Sequence, residues 1–215
     1  MSLPTREPPL DFKRAPILDD RFDFLAPLAR EGRVLDLGCI DERHPERIAT
    51  SLHARLREAN PRVVGADLDG RAIEVVRGLG FEVLAGDAQC SDLGGPYDLV
   101  IAAELIEHLD DPGRALDNIA RHLAPKGKLA LTTPNPFYVN QWAKILKYGQ
   151  PQVHAEHRTW FCPQTLTVLL HARGFELEDF AWLGAGKGLV RRSLARWRPY
   201  WSAGFALTAV RRARD

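Results

Sequence analysis

Three acids stand where three apolar runs end. Val34-Leu35-Asp36-Leu37-Gly38-Cys39, Val63-Val64-Gly65-Ala66-Asp67 and Gly80-Phe81-Glu82-Val83-Leu84-Ala85-Gly86-Asp87 each read as a strand with a carboxylate at or near its C-terminal end. In a parallel sheet such ends open into one crevice, where small ligands bind. A carboxylate at Asp67 can accept two hydrogen bonds from a ribose diol. Asp87 stands one strand further, with the Ala88 N–H beside it placed to donate to a ligand in the same crevice. Gly38 permits close approach of the backbone, and Asp36 beside it supplies negative charge for a cationic group. A lone acid after a strand most often caps the next helix. Three in successive strand–helix units, in order, are much harder to obtain as caps alone. A second set lies downstream. Glu104, Glu107 and His108 fall at i, i+3 and i+4 and can share one face of a helical turn. His154, His157 and Trp160 follow. An imidazole there can take a proton from a hydroxyl near neutral pH.

The surrounding periodicity says what positions these residues. Ile17, Leu18, Phe22, Leu25 and Leu28 recur at three and four, which predicts an amphipathic helix over 16–30. Asp41 is placed to cap the next helix, Pro45 suits its first turn, and Ile48, Leu52, Leu56 and Ala59 form its buried stripe. Asp69-Gly70 opens a helix with Ile73, Val76 and Leu79. Tyr97–Ala102 and Leu129–Thr133 read as two more strands, separated by a helix from Pro112 to Leu123 and a turn at Pro125-Lys126-Gly127. Residues 137–161 are aromatic and histidine-rich without strong periodicity. A helix over 163–173 precedes a closing pair of strands, Phe175–Leu183 and Phe205–Arg211. Strands that alternate with helices in this way imply a parallel sheet covered on both faces.

The Arg33–Asp69 stretch resembles the cofactor-binding half of a class I S-adenosylmethionine-dependent methyltransferase, through VLDLGC at 34–39 and VVGADLD at 63–69. The resemblance covers roughly 33–183. It implies an α/β, Rossmann-like, seven-stranded, mostly parallel sheet with a C-terminal antiparallel pair. It also implies S-adenosylmethionine as cofactor, held by Asp36, Gly38, Cys39, Asp67, Leu68, Asp87, Ala88 and Ala103. One departure stands out: the family usually has two further glycines where this chain has Cys39-Ile40-Asp41. The same change disfavours NAD, whose pyrophosphate needs glycines and would meet the Asp41 charge.

Tyr97-Asp98-Leu99-Val100 followed by Glu104-Leu105-Ile106-Glu107-His108-Leu109 resembles the ubiquinone-biosynthesis and related small-molecule O-methyltransferases. The expected reaction is O-methylation of a sugar, quinone precursor or secondary metabolite, with His157 or His108 as general base. The order ExxEH, Thr133-Pro134-Asn135, His157, Trp160 is also similar to that of small-RNA 3′-terminal 2′-O-methyltransferases. That resemblance implies a divalent metal on Glu104, Glu107, His108 and His157, and ranks second. A protein that binds the cofactor for regulation, without turnover, is the alternative from another class.

The expected organisation is an N-terminal arm and helix (1–32) and a methyltransferase domain (33–215), with an acceptor lid at about 137–161 and a basic insertion at about 185–201. Residues 1–15 read as a loosely held arm. The insertion holds Lys187, Arg191, Arg192, Arg196 and Arg198 and no acid. A solvated basic face is its plainest reading; the functional readings are a phosphate-bearing acceptor (nucleotide sugar or RNA end) or peripheral contact of 187–201 with an anionic membrane surface. A small-molecule acceptor is the partner the resemblance implies, ahead of nucleic acid; the net charge of +1 argues neither way. Three widely spaced cysteines, no apolar leader and no run of membrane-spanning length make a cytoplasmic protein the expectation.

Overall fold

The computed structural model describes residues 10–184 and 189–212. In chain order it forms β1 (Ile17–Leu18), α1 (Arg21–Leu28), β2 (Val34–Leu37), α2 (Leu52–Ala59), β3 (Val63–Asp67), α3 (Gly70–Gly78), β4 (Val83–Ala85) and β5 (Tyr97–Ala103). It continues with α4 (Pro112–His122), β6 (Leu123–Pro134), α5 (Val139–Tyr148), α6 (Pro163–Ala172), β7 (Phe175–Leu183), α7 (Leu189–Trp197) and β8 (Gly204–Arg211). The strands make one sheet in the order β1-β7-β8-β6-β5-β2-β3-β4. Only β8 runs antiparallel to its neighbours. After β4 the chain returns to lay β5 beside β2, and this reversal opens a crevice at the strand ends.

The sheet has eight strands, not the expected seven. The additional one is β1, whose Ile17 and Leu18 pair with Trp182 and Leu183. Trp182 N donates to Pro16 O at 2.8 Å and Gly184 N to Leu18 O at 2.9 Å. Two residues are too few for an alternating pattern, and an apolar pair reads equally well as the first turn of a helix. The helix starts only after Asp20, whose carboxylate accepts from the Phe22 and Asp23 amides. The described part of the expected arm is also fastened. Phe12 is buried, its ring lies 4.6 Å from that of Phe180, and its carbonyl accepts from the Trp182 indole N–H at 2.7 Å.

Alternate strand residues serve opposite faces. Leu35, Leu37, Val100, Ala102, Leu129 and Leu131 pack with Leu116 and Ile119 of α4 and with Leu166 and Leu170 of α6. Val34, Leu99, Ile101 and Ala130 pack with Phe24 and Leu25 of α1 and Leu56 of α2. The strands are therefore apolar on both sides and read as continuous runs, as parallel strands do.

Three local expectations are corrected. The third sequence-predicted strand shrinks to Val83–Ala85, so Asp87 lies two residues past its end. The expected turn at 125–127 lies inside β6, where the register against β5 slips between Tyr97 and Leu99. The lid contains a ten-residue helix, α5, which ends at Gly149 with φ 74°. That helix buries no residue, so its apolar positions Val139, Trp142, Ala143 and Leu146 do not serve the core. In the basic insertion, Lys187 lies outside the described residues, as do the side chains of Arg191 and Arg192.

Candidate active site

A cavity of about 870 Å³ opens at the C-terminal ends of β2, β3 and β4. That is within the range of about 300–1,000 Å³ common for cofactor and ligand sites. Gly38, Asp67, Leu68, Asp87 and Ala88 form one wall, and Glu104 and His108 form part of the other. Asp36, Cys39 and Ala103 stand behind the wall rather than on it.

The turn after β2 shows how the chain manages without two glycines. Gly38 takes φ 66°, and its N–H donates to Ala66 O at 2.8 Å. A Cβ there would lie 2.9 Å from Leu105 Cδ1, so only glycine fits. Ile40 N donates to Asp67 Oδ2 at 3.0 Å, and Asp69 N donates to Asp67 Oδ1 at 3.2 Å. The loop is thus tied to the carboxylate at the end of β3. Burial raises the Asp67 pKa, opposed by these backbone donors. Leu68 beside it is 68% exposed, an apolar side chain presented on the cavity wall. Asp87 accepts from Gln89 N at 2.7 Å, and Gln89 Oε1 accepts from Asp111 N at 2.8 Å.

Asp41 does not cap a helix. It accepts from Arg43 N at 3.1 Å and faces the cavity. A 3-10 turn over Pro45–Thr50 intervenes, and Ser51 caps α2.

Beneath the Gly38 turn, Asp36 Oδ2 lies 2.9 Å from His53 Nδ1, and both residues are buried. Sequence reading missed His53, because a single histidine in a helix carries no motif. Cys39 is packed against it, and burial pushes the Cys39 thiol pKa well up, aided by the Asp36 and Asp67 charges. Gly65 makes this packing possible. A Cβ at Gly65 would lie 2.7 Å from Cys39 Sγ and 2.9 Å from His53 Cε1. Gly65→Ala is therefore expected to lower stability by about 1–3 kcal/mol, the usual cost of overpacking. Urea unfolding measures this, and an unchanged midpoint would contradict the packing described.

The second set assembles differently from expectation. Glu104 follows β5 with φ 53°, a left-handed conformation rare outside glycine and found preferentially at functional sites. Its N–H donates to Thr132 O at 2.9 Å, and its Oε1 accepts from the Thr132 hydroxyl at 3.0 Å. The turn that follows, Ile106–His108, is a 3-10 helix. Glu107, His108 and His157 place one ligand atom each within 4.8 Å of one another, and Glu104 is outside this group. Glu107 Oε2 accepts from the Thr133 hydroxyl at 3.0 Å, while Glu107 Oε1 and His157 Nδ1 are buried without hydrogen-bond partners among the described residues. Burial, with the Glu104 charge second, pushes the Glu107 pKa up to about 8.

The lid delivers His157. Arg158 N and Thr159 N donate to Glu107 O at 2.8 and 3.2 Å, which docks this segment on the Glu107 turn. The ring centroids of His108 and His157 are 4.7 Å apart, and His154 lies 5.3 Å from His157. His154 is a third imidazole that sequence reading named without assigning it a role. Burial and the neighbouring imidazoles hold the pKa of His157 below the ordinary histidine value, and burial with His154 does the same for His108.

Carboxylates dominate the wall. Asp41, Glu42, Asp67, Asp87 and Glu104 line it, and each of its two arginines meets a carboxylate. Arg43 lies 3.4 Å from Glu156, and Arg158 lies 2.8 Å from Asp110.

A Rossmann-like sheet closed by an antiparallel β7–β8 pair, with an acid-lined crevice where its strand order reverses, defines a class I S-adenosylmethionine-dependent methyltransferase domain. The family model described as a methyltransferase domain matches residues 11–179, and the chain belongs to that family. It is 28% identical over 107 residues to the ubiquinone biosynthesis O-methyltransferase of Caulobacter sp. (strain K31), which covers 48% of this chain and 41% of that protein. It is 31% identical over 127 residues to the 27-O-demethylrifamycin SV methyltransferase of Amycolatopsis mediterranei, covering 53% of this chain and 43% of that one. The chain thus spans less than half the length of these two relatives. In three dimensions it is similar to a SAM-dependent methyltransferase from Archaeoglobus fulgidus, with a TM-score of 0.64, 18% identity, and coverage of 89% and 91% of the two chains. At that identity the likeness speaks for the fold.

Proposed function

We propose that this chain transfers the methyl group of S-adenosylmethionine to a hydroxyl of a small molecule such as a sugar, quinone precursor or secondary metabolite. The observation that carries the reading is His108 on the wall of the cavity that Asp67 and Asp87 line, with His157 packed against its ring at 4.7 Å from behind that wall. Asp67 accepts the ribose hydroxyls, Leu68 covers a face of the adenine, and Asp87 with Ala88 meets its edge. Gly38 admits the methionine tail. Asp36, Cys39 and Ala103 act from behind that wall, by supporting the turn. The acidic wall favours the sulfonium cation.

In the transfer, the acceptor oxygen attacks the methyl carbon in line with the departing sulfur. The C–S bond breaks, sulfur keeps the electron pair, and a neutral thioether leaves. The hydroxyl proton passes to His157 or His108, whose lowered pKa values keep them neutral and receptive at neutral pH. The enzyme's share is mainly alignment and exclusion of water, which the lid segment at 154–158 supplies. Two relatives carry names that include O-methylation or O-demethylated substrates, in support of oxygen as the acceptor atom.

One observation favours a second reading. The partnerless Glu107 Oε1 and His157 Nδ1 fit a divalent cation held by Glu107, His108 and His157. Such an ion would lower the pKa of a bound hydroxyl. An RNA end as acceptor is less well supported, because both arginines of the wall are already paired with carboxylates.

Transfer of labelled methyl groups to a panel of hydroxylated compounds, with and without a chelator, tests these readings. Expected is transfer that survives chelation. Transfer that is abolished by chelation and restored by a divalent ion would give Glu107, His108 and His157 to the metal. Cofactor binding without transfer to any acceptor would favour the regulatory role.

A further inference from the structure

We infer that the α5 face and the neighbouring Trp197 corner form a docking surface for an anionic lipid bilayer. This goes beyond the methyl-transfer reading and does not depend on it. Helix α5 buries none of its ten residues. Its exposed positions Trp142, Ala143 and Leu146, with Val139 one turn earlier, lie on one stripe at three- and four-residue spacing. Leu146 is 88% exposed and Trp142 55%, and Phe137 just ahead of the helix is 45% exposed. A leucine so bare on an apolar stripe is uncovered by the described residues, and contiguous apolar patches of this kind mark interaction sites.

The charge pattern selects the partner. No acid occurs between Pro134 and Glu156, while the exposed Lys147 borders the stripe. The second element is the corner formed by α7 and the turn after it. Trp197 is 63% exposed, and the Arg198 guanidinium sits 4.3 Å above its ring. Trp201 packs edge-on at 5.9 Å. No acid occurs between Asp179 and Asp215. Asn135 joins the two elements. Its Oδ1 accepts from Phe137 N at 3.1 Å, ahead of α5, and its Nδ2 donates to Tyr200 O at 2.7 Å and Ser202 O at 2.9 Å, after α7. Tryptophans at the level of the headgroups, an apolar stripe and acid-free basic flanks are what an interfacial helix requires. Among the described residues no helix is long and apolar enough to cross a membrane, so the contact is peripheral.

Co-sedimentation tests the inference, with vesicles of phosphatidylcholine alone and of phosphatidylcholine mixed with phosphatidylglycerol. Partitioning onto the anionic vesicles is expected to be at least about tenfold stronger, and to weaken as salt rises. Leu146→Glu and the double variant Lys147→Glu/Arg198→Glu should each remove most of the binding. S-adenosylmethionine affinity serves as the folding control and should stay at the wild-type value. Equal partitioning onto both vesicle types, or none, would overturn the inference. So would a dimer in gel filtration that Leu146→Glu dissolves while vesicle binding is absent, because a second copy would then cover the stripe.

Discussion

Asp67→Ala is expected to weaken S-adenosylmethionine binding by about a hundredfold or more. Hydrogen bonds to a charged group contribute about 1.5–3 kcal/mol each, and a ribose diol offers two. The upper end of that sum is not expected. Both Asp67 oxygens already accept backbone N–H groups, from Ile40 and Asp69, so the cofactor shares them. The same contacts add an indirect loss, because the turn after Gly38 loses its anchor. Asp67→Asn separates the two effects. It keeps one acceptor oxygen but loses the charge, and its affinity should fall to an intermediate value. Titration calorimetry reads both variants, with urea unfolding as the check on folding. Wild-type affinity in Asp67→Ala would remove the ribose contact from the account.

The second large effect concerns chemistry rather than binding. His157→Ala should lower kcat by about 10²–10⁴, the usual contribution of a positioned base, with little change in cofactor affinity. The imidazole is pushed below its ordinary pKa by burial and by His108 and His154. The wild-type rate should therefore be flat above neutral pH and fall on the acid side as the base takes a proton. Loss of the acid limb in His157→Gln would confirm which group titrates. An unchanged kcat in His157→Ala would pass the role to His108, the other imidazole of the close pair.

What the sequence disclosed, and what it hid, follows from the range of each interaction. The parallel strands were legible because β2, β3 and β5 are largely apolar on both faces and read as short continuous runs. The acids at 67 and 87 were legible because the topology sends every strand end to one crevice. Hidden features depend on partners distant in the chain. Ile17 and Leu18 form a strand only because β7 offers an open edge 165 residues away, at Trp182 and Leu183. The Asp36–His53 contact joins a strand to a helix and has no motif. Glu104 left the expected cluster because its left-handed backbone turns the carboxylate to Thr132, a geometry no spacing rule contains. Helix α5 was missed because Ile145 and Tyr148, off its stripe, blur the spacing of Val139, Trp142 and Leu146, and it stands out in the folded chain because it buries no residue.

The central claim is that the cavity between Gly38, Asp67 and Asp87 holds S-adenosylmethionine. A crystal structure with S-adenosylhomocysteine tests it most directly. The account predicts ribose hydroxyls on the Asp67 carboxylate, adenine between Leu68 and Ala88, and the sulfur facing His108. A ribose away from Asp67, or a cofactor outside this cavity, would contradict it.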